Sequence, residues 1–476
     1  MPSVDKRGSI NDKFIDITEH PEGLKEMLEI GKIRDLVAAI FKSAALAEII
    51  GEQHTTQSFE CAGDMEKAFH GELSKMPDSI VNPMIEDAKN NFAELIKEYE
   101  ISDDDLREVF EKVWVYSRLT NPVNEELEKV ISMMENAEKS AVFASGLAAI
   151  NAVVEQFTNG AAGNLREGYK DISENTKGDK IVVIGAIYGG SYAQLQDSCI
   201  ENGRIYEQLT ISEFKEKGLP EDTSMVLIES SNNPNLNIVP ISDIAANAKD
   251  ISEKSGKNIK VVCDNTFTPI LVNPLDLGAD LVVHSMTKSI GGRSEDLGGV
   301  VSGKADDINQ FNCLKSGIRM IKGGVMAPRV AKEFLNNMKD IVERIYFASI
   351  NAKEIEKIAK DLGFDANHVS SNEELSDIKN NDLPDEFSNG MLTIDFGSAE
   401  KAVEFTDKMA KLGLGKLAVS LGSTTTYYSI PAQSTHSEMN EAEQLKAGIT
   451  PGLVRISCGI EKDLVEKIAG VLKSLS

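Results

Sequence analysis

Basic residues are in deficit: 50 Lys and Arg stand against 76 Asp and Glu, a net charge of −26. A surface of that sign repels nucleic acid and anionic membranes, although a local basic pocket can still hold a phosphate. Cysteine is scarce as well. The five residues, Cys61, Cys199, Cys263, Cys313 and Cys458, are odd in number and scattered, with no CxxC and no metal-type pairing with histidine. That argues against a disulfide framework and a zinc site, and for a reducing compartment. No apolar run approaches the ~18 residues a membrane span needs, and the opening MPSVDKRGSINDKF lacks the apolar stretch of a signal peptide. The expectation is a cytoplasmic protein with no membrane, nucleic-acid or metal partner.

At 476 residues the chain is too long for a single small core, and ~150 residues per domain suggests about three domains or one large domain with additions. Residues 1–113 read as a helical segment, 114–325 as an α/β domain and 326–476 as a smaller α+β domain. From Pro21 to Gln53, Leu24, Met27, Ile30, Ile33, Leu36 and Ile40 recur every three or four residues. A second helical stretch runs from Ile80 to Tyr99, and Ser102 before DDDLREVF has the form of an N-cap with acids in the first turn. The polar stretch from Ser370 to Asn389 reads as an exposed loop.

The densest chemistry lies in LVVHSMTKSIGGRSEDLGG, Leu281 to Gly299. A strand-like run delivers the chain to Ser285, Thr287 and Lys288, and Gly291-Gly292 then turn it. A lysine held at a strand end loses hydration, which lowers its pKa and lets it act as a Schiff-base nucleophile, while neighbouring hydroxyls suit a phosphate. An isolated Ser-x-Thr-Lys would more simply be a surface lysine after a buried strand. Other segments carry complementary chemistry. Ser145-Gly146-Leu147 opens a helix after a strand, leaving free N–H groups for a phosphate. Tyr188 follows IVVIGAI, where an aromatic ring can stack on a planar ligand. Asp264 ends KVVCD as an anion at a strand terminus, and Arg118 and Arg455 offer planar forks for phosphate or carboxylate.

Together YSRLTNP (from Tyr116), SGLAAI, YGGSYA, ESSNNPN, CDNTFTP, the lysine segment, AVSLGS, PAQSTHS and RISCGIE resemble the Cys/Met metabolism family of pyridoxal phosphate-dependent enzymes, in that order from residue 116 to the C-terminus. That family includes cystathionine synthases and lyases, methionine γ-lyases and O-acetylhomoserine sulfhydrylases. The resemblance implies a fold type I (aspartate aminotransferase-like) architecture with pyridoxal 5'-phosphate as cofactor. It makes Lys288 the Schiff-base lysine and proton carrier, helped by Tyr188, which also stacks on the ring. Tyr116, Arg118, Ser145, Gly146, Leu147, Thr266, Ser285 and Thr287 fall in the cofactor-binding set, with Asn233 on the ring hydroxyl and Asp264 on the ring nitrogen. Arg455 and Ser420 face the substrate. Tyr116 and Arg118 would reach the phosphate bound in a neighbouring subunit, so a homodimer with shared sites, within a homotetramer, is implied. His436 and His284 read as packed residues.

Departures from the family text are local. Arg293 and Glu295 stand where His and Asp are usual, and the helical opening replaces an extended arm. Val419 stands where cystathionine-handling relatives carry an acid for the distal amine, which favours a methionine γ-lyase-like elimination from a sulfur amino acid. Gly190 points instead to γ-replacement on an acylated homoserine, as in O-acetylhomoserine sulfhydrylase or cystathionine γ-synthase. A non-catalytic member kept as a binding protein is the reading from another class, against which stands the joint presence of Lys288, Asp264, Arg118 and Arg455.

Overall fold

The structure, a computed structural model, describes residues 13–18, 20–51, 64, 67–68, 73–158, 179–313, 316–380, 382–384, 387–437 and 440–476. Cys61, Gln53 and most of the opening peptide lie outside them.

Two sheets organise the chain. The larger has seven strands: β1 (Lys139–Phe143), β2 (Lys180–Ile184), β3 (Ile205–Leu209), β4 (Thr223–Glu229), β5 (Lys260–Asp264), β6 (Leu281–Ser285) and β7 (Gly299–Gly303), in the spatial order β1-β7-β6-β5-β4-β2-β3. Strands β3, β2, β4, β5 and β6 are mutually parallel, and β7 pairs antiparallel with both β6 and β1. The central strands are continuous apolar runs, KIVVI, MVLIE and KVVCD, because helices cover both faces. The pleat divides them. Along β2, Ile181 and Val183 face one apolar cluster, whereas Val182 and Ile184 face the other.

That second cluster is where the N-terminal helices go. The expected helix over 21–53 is interrupted at Ile30, whose extended backbone separates helix Glu22–Glu29 from helix Gly31–Ile50. Leu24, Met27, Ile33, Leu36 and Ile40 share one buried core with Val182, Ile228 and Val300 of the large sheet. Ser43 donates to the buried carboxylate of Glu126 at 3.0 Å, which fixes helix Gly31–Ile50 on helix Pro122–Met134. The N-terminal segment therefore completes a face of the main core. Its cap forms as expected: Asp105 N donates to Ser102 Oγ at 3.1 Å, and Ser102 N donates to Asp105 Oδ2 at 2.8 Å. Ser102→Ala is expected to cost about 1 kcal/mol. Urea unfolding that shows no shift in midpoint would contradict this.

The smaller sheet comprises β8 (Asp365–His368), β9 (Met391–Asp395), β10 (Lys416–Leu417), β11 (Tyr427–Ser429) and β12 (Leu453–Ser457), in the order β10-β11-β12-β9-β8. Only β10 and β11 are parallel. Helices Ile341–Asp361, Ala399–Lys411 and Leu464–Lys473 cover it with their apolar faces. The stretch from 370 to 389 is not the exposed loop its polar text suggests. Leu375, Ile378, Leu383 and Phe387 are buried, and Asn380 N donates to Leu271 O at 2.9 Å, binding this stretch to the segment after β5. Four apolar residues at irregular spacing anchor it, a pattern without the period of a helix or strand.

Candidate active site

The parallel strands all end on one side of the large sheet, where backbone groups and strand-end side chains face outward together. Glu229 closes β4 and Asp264 closes β5, and the two are register partners. Ser285 closes β6, and the turn that follows carries Thr287 and Lys288. Thr266 ties two of these ends together: its N–H and hydroxyl donate to Asp264 Oδ1 at 3.0 and 2.5 Å, while its own Oγ1 accepts from Ser285 N at 2.8 Å. Burial pushes the Asp264 carboxyl up, against the opposing pull of the Thr266 donors and of His284.

Lys288 lies in a turn held by Lys288 N to Ser285 O (3.2 Å) and Gly292 N to Lys288 O (2.8 Å). Its Nζ is 3.4 Å from Ser420 Oγ, a residue of the small-sheet domain. Burial first, and the Arg455 cation second, lower the ammonium from 10.5 to about 8. Such an amine has an appreciable neutral fraction near neutrality, as a nucleophile requires.

Arg455, on β12 and fully buried, donates to Asn233 Oδ1 at 2.8 Å. Desolvation lowers it to about 10, offset by Glu229 and Tyr188. Glu229, along the chain only the last residue of a strand, adds a second buried carboxyl beside Asp264. It is buried, accepts from Tyr188 N at 2.6 Å, and burial together with Asp264 drives its carboxyl well above the ordinary range. Tyr188 itself is 46 % exposed. A Cβ at Gly190 would sit 2.5 Å from its ring, so glycine is required for this placement.

At the opposite end, Ser145 caps helix Gly146–Phe157 by accepting from Ala148 N at 3.1 Å, and Gly146 and Leu147 form its first turn. A Cβ on Gly146 would meet Ser285 Cβ at 2.7 Å, so glycine brings the helix N-terminus against the end of β6. Thr287 Oγ1 accepts from Gly298 N at 3.1 Å beside it. Small residues, helix N-terminal N–H groups, hydroxyls, a low-pKa lysine and a buried strand-end carboxyl form a set that fits a phosphorylated aromatic aldehyde.

Arg118 and Tyr116 stand apart. Arg118 donates to Met320 O and contacts Met320 Sδ, both at 3.0 Å, and lies 5.5 Å from the Tyr116 ring centre, and both residues are exposed. His284 is packed, with Nε2 2.7 Å from Glu135 Oε1. His436 is buried next to Arg455, and desolvation lowers it to about 4, so its ring is neutral. Glu295 is exposed, whereas Arg293 pairs with Asp340. Among the described residues no helix is long and apolar enough to cross a membrane.

A mostly parallel sheet with this site at its strand ends, followed by a smaller sheet domain, defines a fold type I pyridoxal phosphate enzyme. Residues 97–473 match the family model described as Cys/Met metabolism PLP-dependent enzyme, and the chain belongs to that family. It is 30% identical over 371 residues to a cystathionine gamma-lyase of Bacillus subtilis, covering 76% of this chain and 89% of that one. It is 28% identical over 361 residues to a methionine gamma-lyase of Arabidopsis thaliana, covering 74% and 77%. A Campylobacter jejuni protein solved with N'-pyridoxyl-lysine-5'-monophosphate superposes with a TM-score of 0.63 at 25% identity, over 75% of this chain and 88% of that one. The chain is therefore a pyridoxal phosphate-dependent lyase or transferase of sulfur amino acid metabolism, with pyridoxal 5'-phosphate as its cofactor.

Proposed function

We propose that this enzyme catalyses γ-elimination from a sulfur amino acid with an uncharged tail, methionine or homocysteine, rather than γ-replacement on an acylated homoserine. The observation that carries the uncharged tail is Val419, and kcat/KM on the two substrate classes decides between elimination and replacement. It is exposed immediately before Ser420, the partner of Lys288, so this position next to the lysine's neighbour carries an apolar side chain instead of an acid that could pair with a distal ammonium. Gly190 has an explanation apart from reaction type, since any side chain there would displace the Tyr188 ring.

In this reading Ser145, Gly146, Leu147, Ser285 and Thr287 hold the phosphate, Asn233 the ring hydroxyl, and Asp264 the ring nitrogen. Bound pyridoxal phosphate supplies the electron sink that stabilises negative charge at the substrate carbons. Lys288 would hold the cofactor and, as the free amine, would remove the Cα proton and carry protons between the substrate carbons. Arg455 clamps the substrate carboxylate with two parallel bonds, and Asn233 keeps the fork in plane. Tyr188 shields the site and assists proton transfer. Methionine and water would yield methanethiol, ammonia and 2-oxobutanoate. Purified enzyme should show a higher kcat/KM for methionine or homocysteine than for O-acetylhomoserine with sulfide. The reverse order would replace elimination with replacement chemistry.

The exposed Tyr116–Arg118 pair supports a site shared between subunits of a homodimer. Its exposed cation lies near an aromatic face and a backbone carbonyl, and no bond to a residue around Lys288 is seen among the described residues. Arg118→Ala and Lys288→Ala subunits, each expected to be inactive alone, should regain about half of native activity per mixed dimer, since one of two sites is then intact. Mixed dimers verified by mass that stay inactive would return Arg118 to a structural role.

A further inference from the structure

The turn that carries Lys288 is gripped from two sides. On one side the loop from Ser420 to Thr424 lies against it: Thr424 N donates to Gly292 O at 3.0 Å, and a Cβ on Gly422 would overlap Ser289. On the other side lies Arg344, almost fully buried on helix Ile341–Asp361. Its Nη1 donates to Ser289 O at 2.8 Å, and its Nη2 donates to Ile290 O at 3.3 Å and Asn337 O at 3.0 Å. The guanidinium also fills the space where a Gly292 side chain would be, and Gly292 itself has φ +63°.

What aims this fork is Asp340. Its Oδ1 accepts from Arg344 Nε at 2.7 Å, and its Oδ2 takes a short ion pair from Arg293, the residue that leaves the turn. One carboxylate thus ties both ends of the segment 289–293, the first through Arg344 on the Ser289 and Ile290 carbonyls, the second directly through Arg293. Without Asp340 the buried Arg344 would lose its counter-charge, and its planar fork would lose the contact that sets its rotation.

We propose that Asp340 is a positioning residue that holds the turn of Lys288 at one end through Arg344 and at the other through its direct pair with Arg293, itself a positioning residue, and that this placement sets Nζ for its chemistry. This rests on the reading of Lys288 as the cofactor lysine. Nζ has to reach a carbonyl carbon and then several substrate carbons, and a shift of about 1 Å at such a group can cost about 10²-fold in rate. A loosened turn should leave substrate affinity nearly unchanged, because Arg455 and Asn233 sit on other elements.

The test uses the full chain with Asp340→Ala, Arg293→Ala, Arg293→Lys and Lys288→Ala. Melting of the apoprotein, the rate at which the visible band of lysine-bound cofactor appears on adding pyridoxal phosphate, and kcat and KM are measured. Asp340→Ala should slow band formation and lower kcat by about 10- to 100-fold, with KM within about twofold. Arg293→Ala should move both in the same direction by less, and Arg293→Lys should recover at least half of that loss. If Asp340→Ala does not fold, the partly exposed Arg293 variants decide. Native band formation and kcat in the folded variants would overturn the proposal, as would a loss explained wholly by the unfolded fraction or a lysine that recovers nothing. A visible band that persists in Lys288→Ala would instead refute the assignment of Lys288.

Discussion

Lys288→Ala should lose turnover at least about thousandfold, since both attachment of the cofactor and proton transfer pass through one nitrogen and positioned acid–base groups alone contribute about 10²–10⁴-fold. The fold should survive, because among the described residues Nζ makes one hydrogen bond, to Ser420 Oγ at 3.4 Å. The amine leaves a further signature in stability. Its pKa falls from 10.5 to about 8 in the folded apoprotein, so below pH 8 the fold bears a desolvated ammonium. Between about 8 and 10.5 the unfolded chain still binds that proton and the folded one does not, so stability rises with pH across this window. Apo wild type should therefore gain stability relative to apo Lys288→Ala as the pH rises from about 8 towards 10.5. A gap independent of pH there would mean the lysine is not desolvated.

Asp264→Asn should lower kcat by about 10²-fold or more while the cofactor stays bound. The exchange keeps the side-chain shape and an oxygen for the Thr266 donors that now bond Oδ1, but removes the negative charge. Burial already drives the carboxyl up, and an adjacent ring N–H cation would offset that cost. An amide cannot hold that cation, so the ring should remain unprotonated and withdraw electrons poorly. Exchange of the substrate α-proton in heavy water should slow in step with kcat. Native exchange and turnover in Asp264→Asn would remove the carboxylate from this role.

Much of the architecture follows from patterns visible along the chain. The buried strands KIVVI, MVLIE and KVVCD are short apolar runs bounded by turn residues, and the residues that end them, Glu229 and Asp264, come to lie side by side because neighbouring parallel strands end together. Family resemblance added roles that spacing could not supply, since Asn233 and Arg455 are 222 residues apart and meet only across two domains. Other features were hidden for the same reason. Glu229 looks like any strand-end acid until Tyr188 and Asp264 are packed on it. Arg293 looks like an anomaly beside Lys288 until Asp340, 47 residues later, arrives to pair with it. The burial of 375–387 depends on Leu271 and its neighbours offering a surface, which no local period records.

The central claim is that Lys288 is the residue to which pyridoxal phosphate attaches. Treating the holoenzyme with borohydride converts that linkage to a stable amine, and peptide mass mapping then locates the pyridoxyl group. The expected result is one phosphopyridoxyl mass on the peptide containing Ser285 to Gly291, assigned to Lys288, with its visible absorbance lost on reduction. A label on another lysine, or reduced protein with no label on that peptide, would contradict the account.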